Sequence, residues 1–257
     1  MKTDIVVLAG GKKPDWYLQE PSVSNKCLIP IHGKPVLFWV LRALQQIPKE
    51  KLRVHVIGTE SIQQAGLDVM ADHFILVPEE NKLSANVKLG IEKTKEDHLV
   101  FISGDIPSIT PQCIKALLDL FIQNPTAQLI LPVILKQDVE KRFPGSKRTY
   151  AKIREGYAKI GNSILLHRSA CEKIIPLIDS FTNNRKSLFG LAWSFGIWTM
   201  IRLFLLKQIA IQPLEKAFYR KLHLEAKGCL FSYAEIAVDL DKMSDYNDLE
   251  HDKGWMA

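Results

Sequence analysis

The residues able to do chemistry in this sequence cluster where apolar, β-rich runs end. Leu8-Ala9-Gly10-Gly11-Lys12-Lys13 sets two glycines directly behind such a run, and glycine lets a backbone approach a ligand closely and turn its amides toward phosphate oxygens. A Gly-Gly pair alone is unspecific. The stretch lacks both the G-x-G-x-x-G spacing and the Lys-Ser/Thr ending of the best-known phosphate loops, so neither of those sites is indicated. Downstream, Asn25-Lys26-Cys27-Leu28-Ile29-Pro30-Ile31-His32-Gly33-Lys34-Pro35-Val36-Leu37 places Lys26 before an apolar stretch and a Gly-Lys-Pro before a helix. A fixed ammonium then lies beside the glycine turn, where lysine acts as a point charge on phosphate.

Two acidic elements complete the set. Val100-Phe101-Ile102-Ser103-Gly104-Asp105-Ile106-Pro107 puts Asp105 at the end of a buried run, before a proline-containing loop. That position suits either a carboxylate ligand for a hard cation or a simple loop cap. Near the end, Asp239-Leu240-Asp241-Lys242-Met243-Ser244-Asp245 is extended at its start, so Asp239 and Asp241 share a face and Asp239 can support Asp241. Asp245 reads as the cap of a last helix.

These residues need a frame, and the first half supplies one. Short β-rich runs at 4–9, 53–58, 73–77, 98–103 and 128–133 alternate with helical patterns at 35–46, 84–95 and 111–123, which is the signature of an α/β fold on a mostly parallel sheet flanked by helices. Thr110-Pro111 is a helix start in itself. After about residue 135 the alternation gives way to a polar stretch, strands at 150–153 and 159–166, and then mostly helix to about 224. The expectation is one domain over 1–257 with a mainly helical insertion, 135–228, hanging over the carboxyl edge of the sheet on the acceptor side. A strand-like run at 230–240 would return to the sheet after it. Ligands of open α/β sheets bind at that edge.

The chain has 257 residues, 47% of them hydrophobic and 24% charged, which excludes a disordered tail or a solenoid. Four cysteines, Cys27, Cys113, Cys171 and Cys229, lie far apart. No zinc ribbon or disulfide scaffold follows, and without a leader pattern a cytoplasmic protein is expected. The net charge is +6, and the basic excess gathers in 136–154, as either a solvated face or a surface for an anionic ligand. Without aromatic interleaving, nucleic-acid binding is set aside. Residues 187–206 are apolar on every helical face with one charge, Arg202. They read as a helix buried in the insertion or at a homodimer contact, or as one lying peripherally in a membrane interface with Trp193 and Trp198 as anchors. A transmembrane span is disfavoured because it would put Asp105 and Asp241 on opposite sides of the bilayer.

The Leu-Ala-Gly-Gly start, the Lys-x-Leu-x-Pro-Ile-x-Gly-Lys-Pro-Val-Leu segment and Gly-Asp-x-Pro together resemble the MobA-like NTP transferases, a nucleotidyltransferase superfamily that includes molybdenum cofactor guanylyltransferases and sugar-phosphate nucleotidyltransferases. The Asp-x-Asp-x-x-x-Asp ending looks like theirs as well. The resemblance implies a GT-A-like, Rossmann-like fold and transfer of a nucleoside monophosphate from an NTP to a small, phosphorylated acceptor, with release of pyrophosphate and Mg²⁺ as cofactor. It implies a nucleotide site at Leu8, Ala9, Gly10, Gly11, Lys12, Lys26 and Gly104, catalytic roles for Lys26 and Asp105, and metal ligation by Asp105 and Asp241. Gly161-Asn162 resembles a turn before a substrate-side strand, which makes Gly161 and Asn162 the acceptor-side candidates.

The sequence departs from the family at one place. The usual loop continues Gly-Gly-x-Gly-x-Arg, whereas Lys12-Lys13-Pro14-Asp15-Trp16 stands here. Either a lysine takes the arginine's role or triphosphate handling has changed. The rival readings are a nucleotide-sugar-dependent glycosyltransferase and a nucleotide-binding regulatory protein with a decayed site. His32 and His167 read as surface or turn residues, and Cys27 as a small buried apolar residue.

Overall fold

Strand β1 (Thr3–Ala9) shows how the sheet is organised. All its residues but Leu8 are buried, and its side chains alternate between two apolar layers: Ile5, Val7 and Ala9 join one and Val6 the other. A strand covered on both faces needs a near-continuous apolar run, as parallel sheets have. The computed structural model describes residues 2–20, 22–78, 81–184, 211–252 and 254.

Among the described residues nine strands form one sheet in the order β5 (His73–Leu76), β4 (Leu52–Gly58), β1, β6 (His98–Ser103), β10 (Ser163–His167), β7 (Leu129–Leu135), β9 (Gly156–Ile160), β8 (Ala151–Ile153), with β11 (Ala226–Leu230) also paired to β7. Its parallel half is β5, β4, β1 and β6. Helices α1 (Val36–Gln45) and α4 (Pro111–Gln123) cover one face. The other face is covered by α3 (Leu83–Lys93) and α6 (Cys171–Asn184). Pro111 opens α4, and the Thr110 hydroxyl accepts the Cys113 N–H at 3.2 Å, the cap expected from the sequence. A short ribbon of β2 (Pro30–Ile31) and β3 (Lys34–Pro35) precedes α1, and α2 (Glu60–Gln64) follows β4.

The second half differs from the sequence expectation in three respects. The polar stretch after β7 (Leu129–Leu135) opens as a helix, α5 (Lys136–Arg142), because Val139 gives it one buried side chain to pack. The run at 159–166 is broken: β9 (Gly156–Ile160) and β10 (Ser163–His167) are separated by Gly161 and Asn162. Finally, 230–240 is no strand. The returning strand is β11 (Ala226–Leu230), parallel to β7, after which residues 234–237 turn in a 3₁₀ helix. Alanine-rich Ala234-Glu235-Ile236-Ala237 reads as apolar alternation in sequence, yet it packs as a turn under the sheet edge.

Strand β10 lies between β6 and β7, antiparallel to both, and β8 (Ala151–Ile153) pairs with β9. The segment expected as an insertion therefore supplies strands to the middle of the sheet. Helices α7 (Ile211–Leu222) and α8 (Met243–His251) complete the described elements. Residues 187–206 lie outside the described residues. Among those that are described, no helix is long and apolar enough to cross a membrane.

Candidate active site

The carboxyl ends of β1 and β6 adjoin, with Leu8 opposite Ser103. Just beyond them the Gly104 N–H donates to the Leu8 carbonyl at 2.9 Å. A Cβ at Gly104 would lie 3.1 Å from that same oxygen and 3.2 Å from the Ala9 Cα. Glycine is what lets the turn carrying Asp105 press against the turn carrying Gly10 and Gly11. Gly10 and Gly11 are exposed, and Gly11 has φ of 148°, where a side chain would be strained. A Cβ on Gly10 would sit 3.3 Å from Asn86 Nδ2, so the amino end of α3 forms one wall beside the glycines.

Asn25 fastens this loop. It is 2% exposed. Its amide donates to the Ala9 carbonyl at 3.0 Å and to Thr59 Oγ1 at 3.1 Å, while its oxygen accepts the Cys27 N–H at 2.8 Å. Lys26 starts the short turn that Asn25 caps, and its own N–H donates to the Gly11 carbonyl at 3.1 Å. Lys12 bridges Asn25, and the Lys13 N–H donates to Ser24 O at 2.8 Å. Residues 11–13 and 24–26 thus run alongside each other and deliver the Lys26 ammonium to the acids.

That ammonium lies 2.5 Å from Asp105 Oδ2 and 2.7 Å from Asp241 Oδ1. Burial alone would lower the Lys26 pKa, but the two carboxylates outweigh it and hold it well above its usual value. Asp105 is 5% exposed and its other oxygen accepts from the Ser103 hydroxyl. Burial raises the Asp241 carboxyl, yet the Lys26 ammonium more than compensates and holds it below the ordinary range. Asp239 moves the other way: burial, then the negative charges of Asp105 and Asp241, push its carboxyl up.

Asp105, Asp239 and Asp241 each offer an oxygen, all within 4.8 Å of one another. Three carboxylate oxygens converging on a point already occupied by a cationic group suit a hard divalent ion. Asp239 is a full member of this cluster, beyond the supporting part the sequence reading gave it. Asp245 accepts the N–H groups of Asp241 at 3.0 Å and Lys242 at 2.9 Å, so it caps α8 from its third residue, with Lys242 at the N-cap position where the sequence pattern suggests Asp245.

Four further residues complete the site and escaped the sequence reading as individuals. Arg148, 6% exposed in its side chain, reaches Asp245 Oδ2 at 3.1 Å and the Asp239 carbonyl at 3.0 Å. Lys159 donates to the Ala237 carbonyl at 2.6 Å and lies 3.9 Å from Asp239 Oδ1. Burial lowers its pKa despite Asp239. Trp16 donates its indole N–H to the Asp241 carbonyl at 2.8 Å, and Asn25 is described above. The basic excess at 136–154 is thus partly turned inward at Arg148 and Arg142, the latter pairing with Asp252 at 2.6 Å, while Lys136 forms an exposed pair with Glu140 at 3.2 Å.

Among the acceptor-side candidates, the Gly161 N–H donates to Pro132 O at 2.9 Å, and a Cβ there would come within 2.6 Å of Ile236 Cδ1. Asn162 leaves β7: its N–H donates to Ile236 O at 2.7 Å and its carbonyl accepts from Ser103 N at 3.1 Å. The Asn162 side-chain Nδ2 is buried without a hydrogen-bond partner among the described residues. His167 and His98 face each other at 5.4 Å, at the end of β6 away from Asp105. Cys27 is 2% exposed and burial pushes its thiol up, as befits a small apolar residue.

Residues 5–191 match the model of the MobA-like NTP transferase domain. The chain belongs to that family. A hypothetical transferase from Thermus thermophilus is 32% identical, with a TM-score of 0.81 over 96% of this chain and 100% of that one. The fold of this MobA-like domain is also that of HddC from Yersinia pseudotuberculosis, solved with GMP-PN: 15% identity, TM-score 0.54, covering 96% of this chain and 97% of that one. Among curated proteins, the bifunctional protein GlmU of Streptococcus pyogenes serotype M12 (strain MGAS2096) is 29% identical over 130 residues, 49% of this chain. The chain spans 30% of the length of that relative.

Proposed function

We propose that this protein is a Mg²⁺-dependent nucleotidyltransferase that moves a nucleoside monophosphate from an NTP to a small, phosphorylated acceptor. An acceptor oxygen bonds to the α-phosphorus, the α–β phosphoanhydride breaks, and pyrophosphate leaves. The observation that carries the reading is the Lys26 ammonium bridging Asp105 and Asp241 beside the Gly10-Gly11 turn. Asp105, Asp239 and Asp241 would hold the ion, which supplies charge neutralisation at the phosphate oxygens when bound. Leu8, Ala9, Gly10, Gly11, Lys12 and Gly104 shape the nucleotide's place, and Lys26 turns to the phosphates to meet charge that grows during transfer. Catalysis of this kind is positioning and electrostatics. No general base is required of the chain, since a phosphate acceptor is already ionised.

The unpartnered Asn162 amide supports an acceptor-side role for Gly161 and Asn162, as a donor for an acceptor oxygen. In this reading 1–257 works as one cytoplasmic domain with the acceptor bound toward 135–228. The test is a thermal-shift screen of the four NTPs with Mg²⁺. One of them should raise the midpoint by roughly 5 °C at saturation, and Asp105→Asn or Asp241→Asn should abolish the rise. No stabilisation by any NTP, or equal pyrophosphate release by both variants and wild type, sinks the proposal.

A further inference from the structure

The stretch that departs from the family pattern, Lys12-Lys13-Pro14-Asp15-Trp16, ends on a residue that touches the acidic cluster. Beyond its contacts with Asp239, Asp241 is gripped at three points. Its carbonyl accepts the Trp16 indole N–H at 2.8 Å, its own N–H donates to Asp245 at 3.0 Å, and its carboxylate meets Lys26 at 2.7 Å. Two of the three grips come from opposite arms of the loop between β1 and the Lys26 turn. The Trp16 ring is itself held, with Tyr17 edge-on at 5.9 Å and Tyr246 at 6.2 Å. Tyr17 is fully buried, and Tyr246 belongs to α8, which begins just after Asp241. The indole therefore has a fixed backing and a defined direction for its N–H.

The side chain of Asp241 is 53% exposed, so burial does little to fix it. In the structure Lys26 supplies the cationic contact to its carboxylate, yet the proposed reaction needs that ammonium on a phosphate. The Trp16 bond falls on the backbone and survives that switch. Resting on the reading of Asp241 as a metal ligand, we propose that Trp16 is a positioning residue. It keeps Asp241 in place for the metal once Lys26 has turned to the nucleotide, and so ties the nucleotide loop to the metal carboxylates. Partners standing behind metal ligands commonly set affinity in this way.

The experiment is a titration with Mn²⁺ alone, counting free ion by electron spin resonance, on the full chain. Trp16→Phe keeps a ring between Tyr17 and Tyr246 but removes the donor. It should weaken Mn²⁺ binding by about tenfold, with a melting midpoint near that of wild type. Trp16→3-benzothienylalanine keeps the full shape of the indole without its N–H. It should show the same loss, which covers the case in which phenylalanine does not fold. Wild-type Mn²⁺ affinity in the folded variants, with or without a lowered midpoint, overturns the proposal. Asp241→Asn separates the two readings: if it too binds Mn²⁺ normally, the metal site itself is misassigned, whereas its loss alongside unaffected Trp16 variants removes only the role of Trp16.

Discussion

The backbone N–H of Leu240 donates to the carbonyl oxygen of Asp105 at 3.0 Å. One hydrogen bond thus joins the loop after β6 to the tail before α8, at the residue lying between Asp239 and Asp241. Leu240 sits at a bend across which the Asp241 N–H donates to the Asp239 carbonyl at 3.1 Å, and pinning that bend here keeps both flanking carboxylates within reach of Asp105. The acidic cluster is a consequence of backbone pairing.

Lys26 should show two opposite effects on replacement. Lys26→Met removes the charge that meets the developing phosphate charge and should lower kcat by on the order of a hundredfold, with KM changed less. Without nucleotide, the same change removes the cation that competes for Asp105 and Asp241, so Mn²⁺ should bind more tightly. A raised KM with unchanged kcat would make Lys26 an ordinary binding residue.

Arg148 is nearly buried against Asp245, which is 1% exposed, and Asp239. Removing one partner of such a pair strands the other charge, so Arg148→Met should cost on the order of 3 kcal/mol in urea unfolding. Arg148→Met combined with Asp245→Asn should cost less than the sum of the two single changes. Additive losses would show that the ion pair does not couple the tail to residue 148.

Far from the site, Asp4 makes stability depend on acid. Burial favours its neutral form, but the His55 ring at 2.9 Å and the N–H groups of Glu96 at 2.8 Å and Lys95 at 2.7 Å prevail, holding its pKa at about 2 against 3.8. A depressed carboxyl stabilises the fold above its unfolded pKa and ceases to do so as pH falls through the folded one. About 2 kcal/mol should therefore be present above roughly pH 4 and vanish toward pH 2. Urea unfolding of wild type and Asp4→Asn across that range should converge at the acid end. Parallel curves would refute it.

The parallel half was legible because strands buried on both faces announce themselves as apolar runs, and because Thr110-Pro111 and Lys34-Pro35 mark helix starts. Gly10 and Asp105 were legible as types at strand ends, and Lys26 and Asp241 through the motifs shared with the MobA-like family. Arg148 and Lys159 were not: their partner Asp239 is remote in sequence, so nothing local separates them from a solvated basic face. Trp16 stood out only as a departure from a pattern, and the N–H that gives it meaning depends on where the tail docks. The turn at Gly161 and Asn162 was legible through the family resemblance, whereas the break it makes in the apolar run at 159–166 was not. The break follows from Asn162 leaving β7 for Ile236 and Ser103, a choice made by neighbours in space.

The sheet order also carries a timetable. The pairs β1–β4, β4–β5 and β1–β6 use only residues up to Ser103, so on the ribosome these strands can pair before β7 to β11 have been made, with β6 still awaiting β10 on its other side, and chains fold from the amino-terminal side as they are synthesised. Asp105 and Lys26 can neutralise each other early, while Asp239 and Asp241 arrive only with the tail that Trp16, Arg148 and the Asp105 carbonyl receive. The nascent protein therefore passes through most of its assembly without the proposed metal site, whose three carboxylates come together only when the helix after Asp241 docks.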